Sequence, residues 1–248
     1  MKGGDKMNKG YIAIIISVII SLALIISTFT LSSAIKSINK DTTIGVTGSA
    51  QEDIKSDYAT WNGTFSTTAV VAKGGYAKLV SDKVLVSDYL KSLDVKDAEI
   101  SFSSINSYPI YKRDYNNNPS NEIEGYTLSQ TVTVKSINVD LVDKVSRNAT
   151  DLINQDVNFS SEPAAFYCKD LSKRKIEMIG KATKDCKDRA ENIVKNSGGK
   201  LGSIISAKTG VFQITPQNST EISDYGVNDT TSIDKQITAV VKCTFSVN

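Results

Sequence analysis

An α+β fold is predicted for this 248-residue chain: two β-α-β-β halves of mainly antiparallel sheet packed on helices, preceded by one N-terminal transmembrane helix. Three observations predict it. A single 21-residue uncharged run lies near the N-terminus, several later stretches alternate apolar and polar residues with period two, and others space apolar residues at i, i+3, i+4 and i+7. The two patterns recur in the same order in both halves.

The uncharged run begins at Tyr11 and ends at Leu31, YIAIIISVIISLALIISTFTL. As a helix it spans about 32 Å at ~1.5 Å per residue, which matches the hydrocarbon core of a bilayer. Lys2, Lys6 and Lys9 precede it, so residues 1–10 read as a cytoplasmic N-terminus, 11–31 as a signal anchor contacting the lipid bilayer, and 32–42 as a juxtamembrane linker. Residues 43–248 then form the extracytoplasmic domain. Ser32, Ser33 and Ala34 offer the small residues of a signal-peptidase site, but the apolar run exceeds the usual 7 to 15 residues of a cleaved segment. Ala13, Ser17 and Ser21 recur every four residues, the spacing that lets two membrane helices approach, though serine is also simply tolerated in such helices and that plainer reading is preferred.

Strands are expected at 44–50 and 58–71, where Ala59, Trp61, Gly63, Phe65, Thr67 and Ala69 share one face. A helix follows on Tyr76, Leu79, Val80, Val86, Tyr89, Leu90 and Leu93, then strands at 98–110 and 124–137. A second helix at 139–154 starts from Asn138 as N-cap and joins the halves. The second half repeats the order. It has a strand at 157–167, a long helix carrying Leu171, Met178, Ile179, Ala182, Cys186, Ile193 and Val194 that ends at Gly198-Gly199, and strands at 202–215 and 235–247. Each half inserts a long polar loop between its last two strands, YPIYKRDYNNNPSNEIEG and PQNSTEISDYGVNDTTSID; loops of that length are usually mobile or engaged in contacts.

The order of several short motifs resembles one known family. Ile44-Gly-Val-Thr-Gly48-Ser-Ala50 followed by Asp57-Tyr-Ala-Thr-Trp61-Asn-Gly63 is similar to the opening of SIMPL-domain proteins. Tyr89-Leu90-Lys91, Glu99-Ile100, Gly125-Tyr126, Val139-Asp140 and the helix ending Gly-Gly-Lys-Leu-Gly continue the likeness over residues 43–248. Asp94 stands where a glycine often follows the first helix. The resemblance implies a bacterial extracytoplasmic protein of poorly defined role, often described as envelope or oxidative-stress defence. Some members assemble into rings or channels, and none supplies catalytic residues to carry over.

Charge and composition narrow the function. The first ten residues hold three lysines against Asp5, so of 29 basic and 27 acidic side chains 26 of each remain in the body. That balance argues against a nucleic-acid partner, which needs excess cations to displace counterions. Histidine is absent, which removes Ser-His-Asp, Cys-His and His-metal chemistry. Cys168, Cys186 and Cys243 form no CxxC pair and read first as small buried hydrophobes, with a disulfide as the rival.

Other constellations read as coincidence or as surface. Ser-xx-Lys spacing occurs at Ser33/Lys36, Ser37/Lys40, Ser172/Lys175, Ser197/Lys200 and Ser232/Lys235, as expected by chance in a Ser- and Lys-rich chain. Glu122 with Glu124, and Asp140 with Asp143, have the composition of an acid–base pair, but neighbouring carboxylates are nearly always solvated. The basic run from Lys169 to Arg189 reads as a solvated helix face, with attraction to an anionic surface as its minor reading. Five glycosylation sequons, at Asn62, Asn148, Asn158, Asn218 and Asn228, are taken as compositional. No catalytic, cofactor or metal residue is assigned. The expectation is a non-catalytic, membrane-anchored homo-oligomer with envelope partners, the alternative an envelope hydrolase or small-ligand binder using the polar loops.

Overall fold

The computed structural model describes residues 9–38, 42–115 and 118–248. Lys2, Lys6, most of the expected N-terminus and the linker residues 39–41 lie outside them, as do residues 116 and 117 of the first polar loop and the side chains of Ser33, Lys36 and Ser37. The chain divides into two compact units, residues 1–48, 182–209 and 241–248 in one and 49–181 and 210–240 in the other.

The larger unit holds a six-stranded antiparallel sheet. Its central pair is β2 (Tyr58–Ala69) and β5 (Pro119–Ser136), registered from Ala59 opposite Ser136 to Ala69 opposite Tyr126. β3 (Ile100–Phe102) and β4 (Asn106–Arg113) pair with β5, while β6 (Asn158–Ser161) and β7 (Ala165–Tyr167) pair with β2. The strand expected at 157–167 to open the second half therefore forms as two short strands and joins the sheet of the first.

Alternation decides the faces. Ala59, Trp61 and Phe65 of β2 meet Leu128, Val132 and Val134 of β5 in one core, and two helices cover it. α2 (Ala72–Ser92) contributes Leu79, Val86 and Leu90, and α3 (Val139–Asn148) contributes Val142 and Val145, with the Asn138 side chain accepting from the Leu141 amide at 3.1 Å. The expected second helix is α-helical only to Asn148 and tightens into a 3₁₀ turn over Ala149–Gln155 that still buries Ala149 and Leu152. Trp61 is fully buried, its indole donating to Ser161 Oγ at 2.9 Å. The opposite face is a polar ladder, Thr64 to Thr131 and Thr133 to Asn62, which places the Asn62 sequon inside the sheet.

Two details of α2 differ from the sequence expectation. Its buried stripe runs Gly75, Leu79, Asp82, Val86 and Leu90, which turns Tyr76 and Val80 to solvent. The one carboxylate in the stripe, Asp82, is paired with Lys78, whose Nζ also donates to the Asp156 carbonyl at 3.1 Å. Beyond the helix Asp94 takes φ 68°, the left-handed turn that a glycine would occupy and that Asp tolerates better than most residues.

A second sheet runs β1-β11-β9-β10 with β8 also on β11, formed by β1 (Thr43–Lys55), β8 (Leu201–Thr209), β9 (Gln213–Pro216), β10 (Val227–Asn228) and β11 (Asp234–Val247). β1, β11 and α4 (Leu171–Asn196) each have segments in both units. In the smaller unit Val46, Ala182, Cys186, Ala190, Val194, Val241, Cys243 and Phe245 are buried. All three cysteines are free thiols; burial, with the neighbouring Cys186, pushes Cys243 up to about 11. α4 ends as expected, Gly198 taking φ 83° and the Gly199 amide donating to the Val194 carbonyl at 3.0 Å.

The N-terminal run is a 30-residue helix, α1 (Lys9–Ile38). Its segment Ile12–Ser32, mean hydropathy 2.8, is long and apolar enough to cross a membrane. Ser17, Ser21, Thr28 and Thr30 donate to carbonyls of their own helix, so these hydroxyls need no second helix to be satisfied in lipid.

Candidate functional site

The feature that most needs explaining is an arm. The first polar segment, expected as a loop, is the distal part of an antiparallel hairpin: β4 runs to Arg113 and β5 starts at Pro119. Register places Tyr108 opposite Thr127, Pro109 opposite Tyr126 and Ile110 opposite Gly125; Glu124 is then bulged out and Tyr111 faces Ile123. Tyr126 packs on the core, and Leu128 next along the same face touches α2 at Gly75. By alternation Pro109, Tyr111 and Ile123 continue that core-facing side beyond the reach of the helix.

No element covers this extension among the described residues. Tyr111 and Ile123 are 46% and 47% exposed, and Val70, whose Cα lies beside Gly125, is 79% exposed. Val71 and Tyr76, at the start of α2, are exposed as well. Tyr111 and Ile123 are cross-strand neighbours, and adjacent exposed apolar groups rimmed by charge mark an interaction surface more often than scattered exposure does. The rim is supplied by Lys112 and Glu122, paired at 2.9 Å, and the ammonium beside Glu122 holds its carboxyl below the usual range. Among the described residues β4 also has strand pairing on one edge alone, with Pro109 within it.

The clefts beside Arg147 are open to solvent. A cleft of about 360 Å³ between α3 and the β6–β7 turn continues into one of about 420 Å³ beside residues 216–234, and both include Asp143, Arg147, Phe166 and Thr231. Arg147 is held by Asp143 at 2.9 Å, which raises its pKa further. Ser161 in this cleft is committed elsewhere, donating to the Ser146 carbonyl at 2.7 Å and accepting from Trp61.

The most unusual ionisable group is Lys235, 2% exposed on the buried face of β11. Its Nζ donates to the Phe166 carbonyl at 2.7 Å and to the Asp229 carbonyl, tying β11 to β7 and to the loop after β10. Burial lowers its pKa against the opposing pull of Asp229 and Cys168. Burial also raises the Cys168 thiol, whereas Asp229 is held below the usual range because hydrogen bonds from Thr231 and Ser232 and the charge of Lys235 outweigh its own burial. The cavity at this lysine is only about 50 Å³, and its donors are spent on backbone carbonyls, so it works as a tie. In the sequence Lys235 stands out only as half of a Ser-xx-Lys match. The signal that finds it is the alternation of β11, which puts residue 235 on the same face as Ile237, Ala239 and Val241.

The remaining sequence candidates disperse. Ser232 does not receive the Lys235 ammonium, Ser197 Oγ donates to the Val194 carbonyl at 2.9 Å, and Lys175 lies over the Phe212 ring at 5.4 Å. Asp140 approaches Lys55 at 3.9 Å, away from the Asp143–Arg147 pair. Along α4 part of the basic run is partnered, Arg174 and Lys181 with Glu52, Lys187 with Glu191 and Arg189 with Asp185, and Lys184 is exposed to solvent. No group of three or more metal-ligating side chains occurs among the described residues.

Comparison with known proteins agrees with the resemblance drawn from the motifs. No curated protein matches the chain. The SIMPL family model, described as a protein of unknown function (DUF541), matches residues 44–245. The chain therefore belongs to the SIMPL family.

Proposed function

We propose that this protein is a single-pass, membrane-tethered interaction module of the cell envelope, with a cytoplasmic N-terminus and residues 43–248 outside, which self-associates and carries out no catalysis of its own. The observation that supports it best is the uncovered apolar side of the hairpin arm, centred on Tyr111 and Ile123. A second copy of the chain removes that surface from water, and at ~25 cal/mol per Å² each buried aromatic or branched side chain contributes on the order of 1–2 kcal/mol. Light scattering on the full chain in detergent tests this. The expected protein mass is a multiple of the 26.8 kDa chain, and Tyr111→Asp with Ile123→Asp lowers it to one chain without lowering the thermal midpoint. A single-chain mass for the wild type at every concentration, or an unchanged variant, defeats the reading.

The runner-up is a small-ligand binder or envelope hydrolase using the polar loops. It is favoured by the cleft at Arg147, which residues 216–234 help to line.

A further inference from the structure

The overall charge balance conceals an uneven distribution. In residues 182–209 and 241–248 of the smaller unit Lys187 and Arg189 pair with Glu191 and Asp185, which leaves Lys184, Lys195, Lys200, Lys208 and Lys242 against Asp188. Those five lysines are exposed and make no ion pair among the described residues, while the larger unit carries an excess of acidic side chains. Lys208 and Lys242 stand directly opposite each other on neighbouring strands. Like charges in that register repel, so the sheet tolerates a cost that a bound anion would remove.

The same unit exposes apolar groups beside those charges. Ile204 and Ile205, at the irregularity in the β8–β11 register, are 47% and 56% exposed, and Ile193 near the end of α4 is 52% exposed. β8 is an edge strand, exposed along most of its length. The Val247 amide donates to the Thr42 carbonyl at 2.8 Å, and Lys200 and Asn248 exchange backbone hydrogen bonds at 2.9 Å. Lys200 therefore lies at the end where the chain arrives from α1. Five residue steps separate Ile38 from Thr43, a reach of at most about 18 Å. The apolar span ends at Ser32 and the six helical residues to Ile38 add about 9 Å, so if α1 spans the bilayer that end stays within about 27 Å of the hydrocarbon boundary.

We propose that β8 and the C-terminal turn of α4 seat on the anionic phospholipid surface of the leaflet into which the domain emerges. Lys195, Lys200, Lys208 and Lys242 take the headgroup phosphates, and Ile204 and Ile205 enter the interface. Lysine stems beside apolar side chains at an edge suit a surface that is charged outside and apolar beneath. The inference rests on the tether proposed above.

Hydrogen–deuterium exchange on the full chain in nanodiscs tests it. Residues 200–209 are expected to exchange about fivefold more slowly in discs containing phosphatidylglycerol than in phosphatidylcholine discs, since screening and neutral headgroups remove the attraction. The difference is lost in 0.5 M salt and in a variant with all four lysines changed to Glu, whose circular dichroism verifies its fold. Equal exchange in both lipids, a lipid response that survives the four changes, or protection given only by added soluble polyphosphate overturns the proposal, the last assigning the lysines to an anionic polymer. Co-elution with neutral discs tests the tether alone. A chain that leaves neutral discs but binds anionic ones removes the tether and keeps the contact; one that binds neither removes both.

Discussion

Gly48→Ala is expected to destabilise the protein by about 3 kcal/mol, at the upper end of what an added methyl costs in a packed interior. A Cβ there would lie 2.8 Å from Cys186 Sγ and closer still to the Ala182 carbonyl oxygen and the Cys186 amide. Two of those three are helix backbone, which cannot swing aside as a flexible side chain does. Gly48 is what lets β1 and α4 approach so closely, and Val46, Cys186 and Cys243 are buried around the contact. Gly45 supplies the control, because a Cβ there meets nothing within 4 Å. Denaturant unfolding of the full chain in detergent should show the loss for Gly48→Ala and almost none for Gly45→Ala; equal effects would refute the close-approach account.

Lys235→Ala is expected to cost about 2–4 kcal/mol, from two carbonyls left unsatisfied and a cavity, less the relief of no longer burying an ammonium. The affected carbonyls are those of Phe166 and Asp229, so β7 and the loop after β10 should loosen first. The pH dependence has a definite sign. The folded pKa lies below 10.5, so as pH rises from it towards 10.5 the folded state has shed a proton that the unfolded state still holds, and this group's contribution to stability increases. The gap between wild type and variant should therefore widen with alkaline pH. A gap that narrows would mean that Lys235 acts as a simple ion-pair partner.

How much of this is legible in the sequence depends on which residues carry a periodic signal. β2 is readable because Ala59, Trp61 and Phe65 alternate with polar residues, and α3 because Asn138 caps an apolar stripe. The arm is not. Beyond Tyr108 both of its strands are solvated on two sides, so Lys112, Arg113, Glu122 and Glu124 read as loop although backbone pairing continues to Arg113 and Pro119. Residues 202–215 read as one strand, whereas the structure ends β8 at Thr209 and resumes with β9 at Gln213, the Gly210 amide turning to the Val240 carbonyl at 2.8 Å. Gly48 falls within the strand expected at 44–50. It lies mid-strand, and nothing local in the sequence tells of the helix packed on it.

The burial of Asp82 and the exposure of Tyr76 and Val80 have one cause. An i, i+3, i+4 pattern on α2 admits two adjacent stripes, and the sheet selects the one containing Gly75, which lets Leu128 approach. The charge asymmetry is equally hidden, since the balanced total of the body averages over two units defined only by the fold.

The tether is tested most directly by labelling from one side of the membrane. Cys186 and Cys243 are fully buried, so with Cys168→Ser the chain presents no accessible thiol, and Thr220→Cys in the exposed loop after β9 adds one. On intact cells expressing that full chain, a membrane-impermeant maleimide should label the protein completely, and the labelled protein should remain in the membrane fraction at its full mass of 26.8 kDa. Labelling only after lysis would place the domain on the cytoplasmic side. Labelled protein released into the medium about 34 residues short would show that Ser32 to Ala34 is cleaved, and either result would contradict the account.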